Sequence, residues 1–471
     1  MHVTSDGLDR VDTSLPECNV AIQFHLVPNI SIFLLSHSEN SLMQGTAVPI
    51  KARYFVLVLC TLTASAFAIE LKKADQVSEP TYTEVFVSGE NGYHLIRTPQ
   101  ILATRAKTLL VFAQGREGHH DQSGNDILLK RSIDGGATWS ALKVIAEDGN
   151  NSLNSVCVLQ LAGSDRIFMI GCIIPDGHNV QDFKHSSPNW QRFMRQVKRD
   201  KWPGLSTGYG EHTASVYSIY SDDDGKTWSK RKDITMSTRR NEALTCIPGP
   251  GLGIQLTRGP HKGRILIPCN QHWLKKLEGR LRYQNLPYAL ISDDNGETWR
   301  YGHLAPYVFD TRTVSETQFA ELADGSILLN GRGGGRAIAK SKDGGETWST
   351  MQPDPTLMGA PCAAGLLRYS FAAESGDKSR ILFSLPGALK GRKHGKIWLS
   401  YDEGKSWPVQ KKIRPGFFAY SCLTRLPGGD IGCVYGSRGK RPAPGELGPQ
   451  NVMFTSFSLE WLTDRGEKHE R

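Results

Sequence analysis

The sequence predicts an all-β chain folded as a six-bladed β-propeller, and three observations support this prediction. An eight-residue phrase, S-x-D-x-G-x-[ST]-W, occurs five times, beginning at residues 132, 221, 292, 341 and 400. These starts lie on average about 67 residues apart, so residues 69–471 hold about six such intervals, a usual number of propeller blades. Short apolar runs such as 264–268 and 326–330, with 48 Gly and 24 Pro, are typical of strands joined by turns.

The repeated phrase has the composition of a hairpin turn with an apolar anchor. In the first copy, the side chains of Asp134 and Thr138 can bond local backbone N–H groups, and Gly136 can take the positive φ of such a turn. Trp139 can bury its ring between neighbouring sheets. The phrase is the pattern known as the Asp box, and we interpret it as structural rather than catalytic.

The first 68 residues have a different character. A basic start at 51–53, an apolar run over 54–63 and a small-residue site at 66–68 are typical of a secretory signal peptide, and the run is too short to span a bilayer. Met43 stands where such a peptide begins. We therefore predict three segments: a mis-called start or unstructured leader over 1–42, a signal peptide over 43–68 and the propeller over 69–471.

This prediction places the mature protein outside the cytoplasm, secreted or in the periplasm or cell envelope. The alternative is a signal anchor that is never cleaved and holds the protein at a membrane. The formal net charge of +9 favours anionic partners, but no basic run interleaved with aromatic residues indicates nucleic-acid binding. Seven cysteines follow residue 69, none in a CxxC pair and most in apolar runs, so we interpret them mostly as core residues.

The first candidate functional residues lie early in the propeller. Arg97 comes two residues before a proline, which predicts the end of a strand and an arginine at the mouth of the ring. Arg116 and Asp121 stand in a polar loop after an apolar run. His119 and His120 beside Asp121 allow a metal site, but adjacent residues of a strand point to opposite sides, so no metal is predicted.

From about Tyr82 to about Leu459 the sequence resembles the bacterial-type exo-α-sialidases (neuraminidases), which carry Asp boxes on a six-bladed propeller. The resemblance rests on residue types at matching intervals. Arg116 and Asp121 are five residues apart, Glu316 and Arg332 sixteen, and Arg392 and Tyr420 twenty-eight. Tyr420 also opens the phrase Y-S-x-L-T-x-L-P, which is typical of these enzymes.

The resemblance implies a retaining exo-α-sialidase without a cofactor, acting on terminal α-linked sialic acids of glycoproteins, gangliosides or oligosaccharides. Tyr420 would be the nucleophile, Glu316 the base that takes its proton, and Asp121 the general acid and base. Because the substrate carries a carboxylate on the anomeric carbon, a neutral tyrosine avoids the repulsion that a carboxylate nucleophile would meet. Nearby arginines would also favour the phenolate. Four arginines would bind the substrate: Arg97, Arg332 and Arg392 as a clamp on its carboxylate, and Arg116 on sugar hydroxyls or on Asp121.

Two departures from the family pattern surround Arg97. Gly436 stands sixteen residues after Tyr420, where the family has a glutamate that braces the first arginine, and Thr98 replaces the isoleucine of an R-I-P motif. They leave open a propeller that binds acidic sugars without cleaving them, or a hydrolase of another 2-keto sugar acid. The presence of all three proposed catalytic residues favours the enzyme.

Overall fold

The strands of the chain form six small sheets, seen in a computed structural model that describes residues 77–118, 121–178, 207–210, 212–277, 280–307, 313–438 and 450–464. The predicted leader and signal peptide lie outside these residues, as do His119 and His120. The described residues belong to one compact unit, Gln76–Arg471. The predicted all-β, six-bladed propeller is confirmed.

The strands are short, and their bounds in chain order are as follows: β1 (Thr81–Phe86), β2 (Leu95–Ala103), β3 (Leu109–Arg116), β4 (Asn125–Ser132), β5 (Lys143–Ala146), β6 (Ser152–Gln160), β7 (Ile167–Ile174), β8 (Ser215–Ser221), β9 (Lys232–Asp233), β10 (Ile247–Pro248), β11 (Gly251–Leu252), β12 (Ile254–Gln255), β13 (Ile265–Leu277), β14 (Arg280–Ser292), β15 (Arg300–Tyr301), β16 (Ser315–Glu321), β17 (Ile327–Arg332), β18 (Arg336–Ser341), β19 (Gln352–Asp354), β20 (Gly365–Ser370), β21 (Arg380–Pro386), β22 (Lys393–Ser400), β23 (Val409–Phe417), β24 (Ala419–Arg425), β25 (Ile431–Arg438) and β26 (Gln450–Phe457). Three single-turn helices accompany them: α1 (Thr235–Thr238), α2 (Ala372–Ser375) and α3 (Leu459–Leu462).

The blades follow one another along the chain. Blade 1 consists of β2–β5, blade 2 of β6–β9 with β11, blade 3 of β10 and β13–β15 with β12, blade 4 of β16–β19, and blade 5 of β20–β23. Blade 6 combines β24–β26 with β1 from the other end of the chain. Thr81 of β1 pairs with Ser456 of β26, so strands from the two ends of the propeller close the ring through one sheet.

The five Asp boxes lie at the turns that join the third and fourth strands of blades 1–5. In the first box the Ser132 hydroxyl accepts the N–H of Gly136 at 2.8 Å, and Asp134 accepts the N–H of Thr138 at 2.9 Å. The other boxes repeat both hydrogen bonds. Hydrogen bonds from Thr138 and Ser132 lower the pKa of Asp134 to about 2, so the turn is held by a charged acceptor.

Each box packs against the preceding blade. The Trp139 ring lies 5.5 Å from that of Phe454 in blade 6, and the Trp228 ring lies 5.8 Å from that of Phe112 in blade 1. The box glycine has a positive φ in every copy, from 77° to 93°. The predicted turn is therefore confirmed. Three of the five box tryptophans, Trp299, Trp348 and Trp407, are buried, and the other two are partly buried, so the boxes hold adjacent blades together.

Two adjacent glycines of the first box give a test of this packing. Gly135 and Gly136 both have positive φ, but only at Gly136 would a Cβ meet a neighbour, 2.2 Å from Phe454. We expect Gly135→Ala to lower the free energy of unfolding by about 1–2 kcal/mol through backbone strain, and Gly136→Ala to cost about 1–3 kcal/mol more through overpacking. Urea unfolding measures both, and equal losses would contradict a packing role for Gly136.

The seven cysteines that follow residue 69 are all buried and form no disulfide, as expected of small core residues. Burial raises the pKa of the thiols of Cys157, Cys172 and Cys422. Within the described ranges, no helix has the length and apolar character needed to cross a membrane. The same ranges contain no group of three or more His, Cys, Asp or Glu side chains arranged to hold a metal ion.

Candidate active site

One strand in each of four of the six blades carries the same bulge. In β2, β6, β16 and β24, the ladder with the next strand gains one unpaired residue. The last pair before the shift is Arg97 with Gln114, Asn154 with Cys172, Ser315 with Arg332, and Ala419 with Gly436, respectively. The residue that follows has a positive φ in each blade: Thr98 (49°), Ser155 (30°), Glu316 (44°) and Tyr420 (49°). Non-glycine residues seldom adopt such angles, and a bulge re-aims the side chains around it.

The bulge corrects the expectation that a strand ends at Pro99. β2 continues through Pro99 to Ala103. The ladder resumes only at Gln100, opposite Phe112, so Pro99 lies in the unpaired part of the bulge, where its missing N–H costs no ladder hydrogen bond.

The sixteen-residue interval seen in the sequence is a property of this bulged hairpin. The positive-φ residue and the residue across the hairpin are sixteen apart in blades 1, 4 and 6, and seventeen apart in blade 2. Two of the four pairs are in contact: the Thr98 hydroxyl donates to Gln114 Oε1 at 3.3 Å, and Arg332 Nη1 donates to Glu316 Oε2 at 2.6 Å. The sixteen-residue interval therefore indicates only that two residues face each other across the hairpin, and it does not depend on the residue types.

The four bulges line one cavity of about 520 Å³. All seven site residues predicted from the sequence line it as well: Arg97, Arg116 and Asp121 from blade 1, Glu316 and Arg332 from blade 4, Arg392 from blade 5, and Tyr420 from blade 6. The structure thus brings together every predicted site residue, and their individual roles remain predictions.

Glu316 lies between the predicted nucleophile and an arginine of the predicted clamp. The Tyr420 hydroxyl donates to Glu316 Oε1 at 2.7 Å, while Arg332 pairs with the other carboxylate oxygen at 2.6 Å. The Tyr420 hydroxyl is therefore already bonded to the base that would take its proton, in a geometry suited to general-base activation.

The electrostatics of Tyr420 differ in one respect from the sequence expectation. Burial and the Glu316 carboxylate raise the pKa of Tyr420 above its ordinary value, and they outweigh Arg332 and Arg392, which lower it. The guanidinium of Arg392 lies 5.0 Å from the centre of the Tyr420 ring. The raised pKa keeps the Tyr420 hydroxyl protonated near neutral pH, so at rest it is a hydrogen-bond donor to Glu316.

The three arginines of the predicted clamp have different partners. Burial disfavours the charge of Arg332, but Glu316 and Tyr420 outweigh it, so the pKa of Arg332 is raised. Arg97 has no ion pair among the described residues, and its buried Nε has no hydrogen-bond partner there. Burial and the neighbouring Arg116 lower the pKa of Arg97, and an anion bound in the cavity would offset both effects.

Gly436 lies in β25 opposite Ala419, one residue before Tyr420. A Cβ at Gly436 would stand 3.1 Å from the Ala419 carbonyl oxygen, so a larger residue requires a small shift of β24. Glycine offers no side chain at this position to brace Arg97, as the departure noted in the sequence indicated.

Asp121 is held by a short chain of side chains from blade 1. Arg116 Nη1 pairs with Asp121 Oδ1 at 2.6 Å, and Asn125 Nδ2 donates to the Asp121 carbonyl at 2.6 Å. Gln114 Oε1 accepts from Nε and Nη2 of Arg116 at 3.1 and 2.7 Å. Arg116 is buried, whereas 37% of the Asp121 side chain is exposed, so the carboxylate can reach a group in the cavity while Arg116 fixes its position.

Blade 3 adds polar residues to the cavity wall that the sequence reasoning missed. His272 of β13 lies opposite Asn285 of β14, and Asn285 Nδ2 is 2.8 Å from His272 Nε2. Asn270 Nδ2 donates to Asn285 Oδ1 at 2.8 Å, and Asn270 itself is buried. The three consecutive polar residues 270–272 directly after the apolar run 265–269 were the available signal.

The sequence matches one protein family and is similar to curated proteins. Residues 107–433 match the BNR repeat-like domain family. The chain is 30% identical over 396 residues to a sialidase of Micromonospora viridifaciens, covering 82% of this chain and 55% of that protein. It is 32% identical over 262 residues to an anhydrosialidase of Macrobdella decora, covering 52% of this chain and 32% of that protein. The chain therefore spans about half or less of the length of these two curated relatives.

Among solved structures, a Hadza microbial sialidase superimposes with a TM-score of 0.64 at 23% identity, covering 81% of this chain and 69% of that chain. A similarity of this degree shows a shared propeller fold.

Proposed function

The chain belongs to the BNR repeat-like domain family, and from that premise we propose that it is an exo-α-sialidase. It releases terminal α-linked sialic acids from glycoconjugates with retention of configuration, using Tyr420 as the nucleophile. The observation that carries the proposal is the hydrogen-bonded series Tyr420–Glu316–Arg332 in one cavity with Asp121. Its similarity to sialidases along most of its length supports the same conclusion.

Binding begins with the carboxylate on the anomeric carbon of the sugar. Arg97, Arg332 and Arg392 all line the cavity, and guanidinium groups bind a carboxylate through paired charge-assisted hydrogen bonds. Because Arg332 already pairs with Glu316, Arg97 and Arg392 have more donor capacity available for the substrate. The clamp therefore depends strongly on Arg97 even though no carboxylate braces it.

The chemistry then follows from the contacts of the reacting groups. The Tyr420 oxygen attacks the anomeric carbon while its proton moves to Glu316, and Asp121 protonates the departing glycosidic oxygen. A glycosyl–tyrosine bond has then formed and the glycosidic bond has broken. Water attacks in the second step, Asp121 takes its proton, and Glu316 returns a proton to the Tyr420 oxygen as it leaves.

The predicted signal peptide over 43–68 adds a cellular setting to this proposal. Its basic start, apolar run and small-residue site support export, so the substrates would be sialylated glycans outside the cytoplasm. Retention of that segment as an anchor would keep the same activity at a membrane surface.

The test is hydrolysis of the 4-methylumbelliferyl α-glycoside of N-acetylneuraminic acid by a chain beginning at Ile69, with the released sugar followed by proton NMR. We expect fluorescence, with the α-anomer appearing before mutarotation. First appearance of the β-anomer would contradict retention, and a 2,7-anhydro product would indicate intramolecular transfer.

The unbraced Arg97 favours one second candidate, a propeller that binds acidic sugars without cleaving them. Binding of free N-acetylneuraminic acid by calorimetry with no turnover would support it. A chain that neither cleaves nor binds this sugar would favour another 2-keto sugar acid as the substrate.

A further inference from the structure

Ser155 occupies in blade 2 the backbone position that Thr98, Glu316 and Tyr420 occupy in blades 1, 4 and 6. In all four strands, the ladder shifts at this residue and its φ is positive. Two of the other three residues are the proposed base and nucleophile, and Thr98 contacts Gln114, which supports Arg116. A bulge with a positive φ thus directs side chains towards the same cavity in four blades, and Ser155 is the residue at this position in blade 2.

The propeller does not need this strained residue in order to form a blade. In β20, the first strand of blade 5 along the chain, no residue has a positive φ. A serine at φ 30° is strained where a glycine would not be. Such strain persists where the surrounding structure enforces it, and it clusters at functional sites.

The contacts of the preceding residue show how the strain is enforced. Asn154 Oδ1 accepts from Gln114 Nε2 at 2.7 Å and from Asn125 Nδ2 at 3.2 Å. Gln114 holds Arg116, and Asn125 bonds the carbonyl of Asp121. The support of the proposed acid therefore also fixes the peptide that leads into Ser155.

The side chain of Ser155 is available to a ligand. The residue lines the cavity and is partly exposed, and its hydroxyl has no hydrogen bond to any of the described residues. A hydroxyl can donate one hydrogen bond and accept two. It therefore suits a sugar hydroxyl or an amide, both of which occur on sialic acids away from the carboxylate.

We infer that Ser155 is a specificity-determining residue whose hydroxyl bonds a ring hydroxyl or the acylamino group of the bound sugar acid. The inference rests on the proposed function and deepens it. Blade 2 lies next to the blade that carries Asp121 and Arg97, so the contact fixes the sugar ring while the clamp holds its carboxylate. Loss of the contact affects binding and orientation rather than proton transfer.

The test separates two effects of replacing Ser155: relief of the backbone strain raises Tm, whereas loss of the hydrogen bond to the substrate lowers kcat/KM. Ser155→Gly relieves the strained φ, so we expect Tm to rise, as it does when glycine replaces a residue at positive φ. The lost hydrogen bond should lower kcat/KM for the aryl sialoside about fivefold to tenfold. Ser155→Ala should lower kcat/KM similarly without raising Tm. Lys107→Gly is the matched control, because Lys107 has φ 65° in an exposed turn; it should raise Tm and leave kcat/KM unchanged.

A purely structural Ser155 would give a different result: kcat/KM of the Ser155→Gly and Ser155→Ala variants equal to that of the parent, which would overturn the inference. Aryl glycosides of a 4-deoxy sugar and of the analogue with hydroxyl in place of the acylamino group identify the contact. The substrate that lacks the contacted group should lose activity in the parent and lose no more in Ser155→Ala. An equal effect of Ser155→Ala on all three substrates would also contradict the inference.

The proposed function is tested separately by the parent chain in the same assay. An inactive parent contradicts the sialidase proposal alone. The Kd of the free sugar acid for the parent and for Ser155→Ala then decides the inference, since a contact residue must weaken binding when its hydroxyl is removed.

Discussion

Replacement of Tyr420 by phenylalanine is expected to lower kcat for an aryl sialoside by about 10³-fold or more, on the scale of losses of positioned proton-transfer groups, with a much smaller change in KM. The variant removes the only oxygen on that side chain, while the Glu316–Arg332 ion pair and the three clamp arginines stay in place. Substrate binding therefore persists and bond formation fails. Steady-state kinetics with the fluorogenic substrate measures the split between kcat and KM.

Tyr435 supplies a matched control in the same blade. Its buried hydroxyl has no hydrogen-bond partner among the described residues, and its ring stacks on Phe418 at 4.6 Å between centroids. Tyr435→Phe keeps that stacking and should retain near-parental kcat. A Tyr420→Phe variant as active as Tyr435→Phe would show that the nucleophile has been assigned wrongly.

Asp121→Asn is expected to have an effect that depends on the leaving group. For a sialyllactose substrate, whose departing alcohol needs a proton, kcat/KM should fall by roughly 10²–10⁴-fold. For the aryl sialoside the fall in kcat/KM should be much smaller, because a phenolate leaves without full protonation. Arg116 would lose its ion pair with Asp121 but keep its two hydrogen bonds to Gln114, so the local structure should survive.

The ratio of kcat/KM for the two substrates is the informative measurement. Asp126→Asn is the control, because Asp126 lies in the adjoining strand β4 and accepts a hydrogen bond from the Tyr93 hydroxyl at 2.6 Å, a contact that asparagine can retain. That variant should leave the ratio unchanged. Equal losses on both substrates in Asp121→Asn would argue for a positioning role and against general-acid catalysis.

The sequence was sufficient to predict the ring because the Asp box marks the same turn in five of the six blades. Five blades carry the box, and blade 6, which has none, had to be inferred from chain length. The site was predictable for a related reason: Glu316 and Arg332 lie sixteen residues apart because they face each other across a bulged hairpin. A hairpin geometry that recurs in several blades thus produces a recurring interval between residues in the sequence.

What could not be predicted depends on the bulge itself. Ser155 and Cys172 are seventeen residues apart, so the sixteen-residue interval of Glu316 and Arg332 does not indicate blade 2. Pro99 indicated a strand end because nothing in the sequence shows that it lies outside the ladder. Burial and four nearby groups set the pKa of Tyr420. Because these effects oppose one another, their balance could be found only from the three-dimensional structure.

Closure of the ring through blade 6 also bears on how the protein is made. The hydroxyls of Thr81 and Ser456 lie 2.7 Å apart but are separated by 375 residues. A ribosome adding about 5–20 residues per second delivers these two strands roughly 20–75 s apart. The sheet that carries Tyr420 is therefore completed last, and a nascent chain that still lacks β26 has the clamp arginines and Asp121 without a closed wall around them.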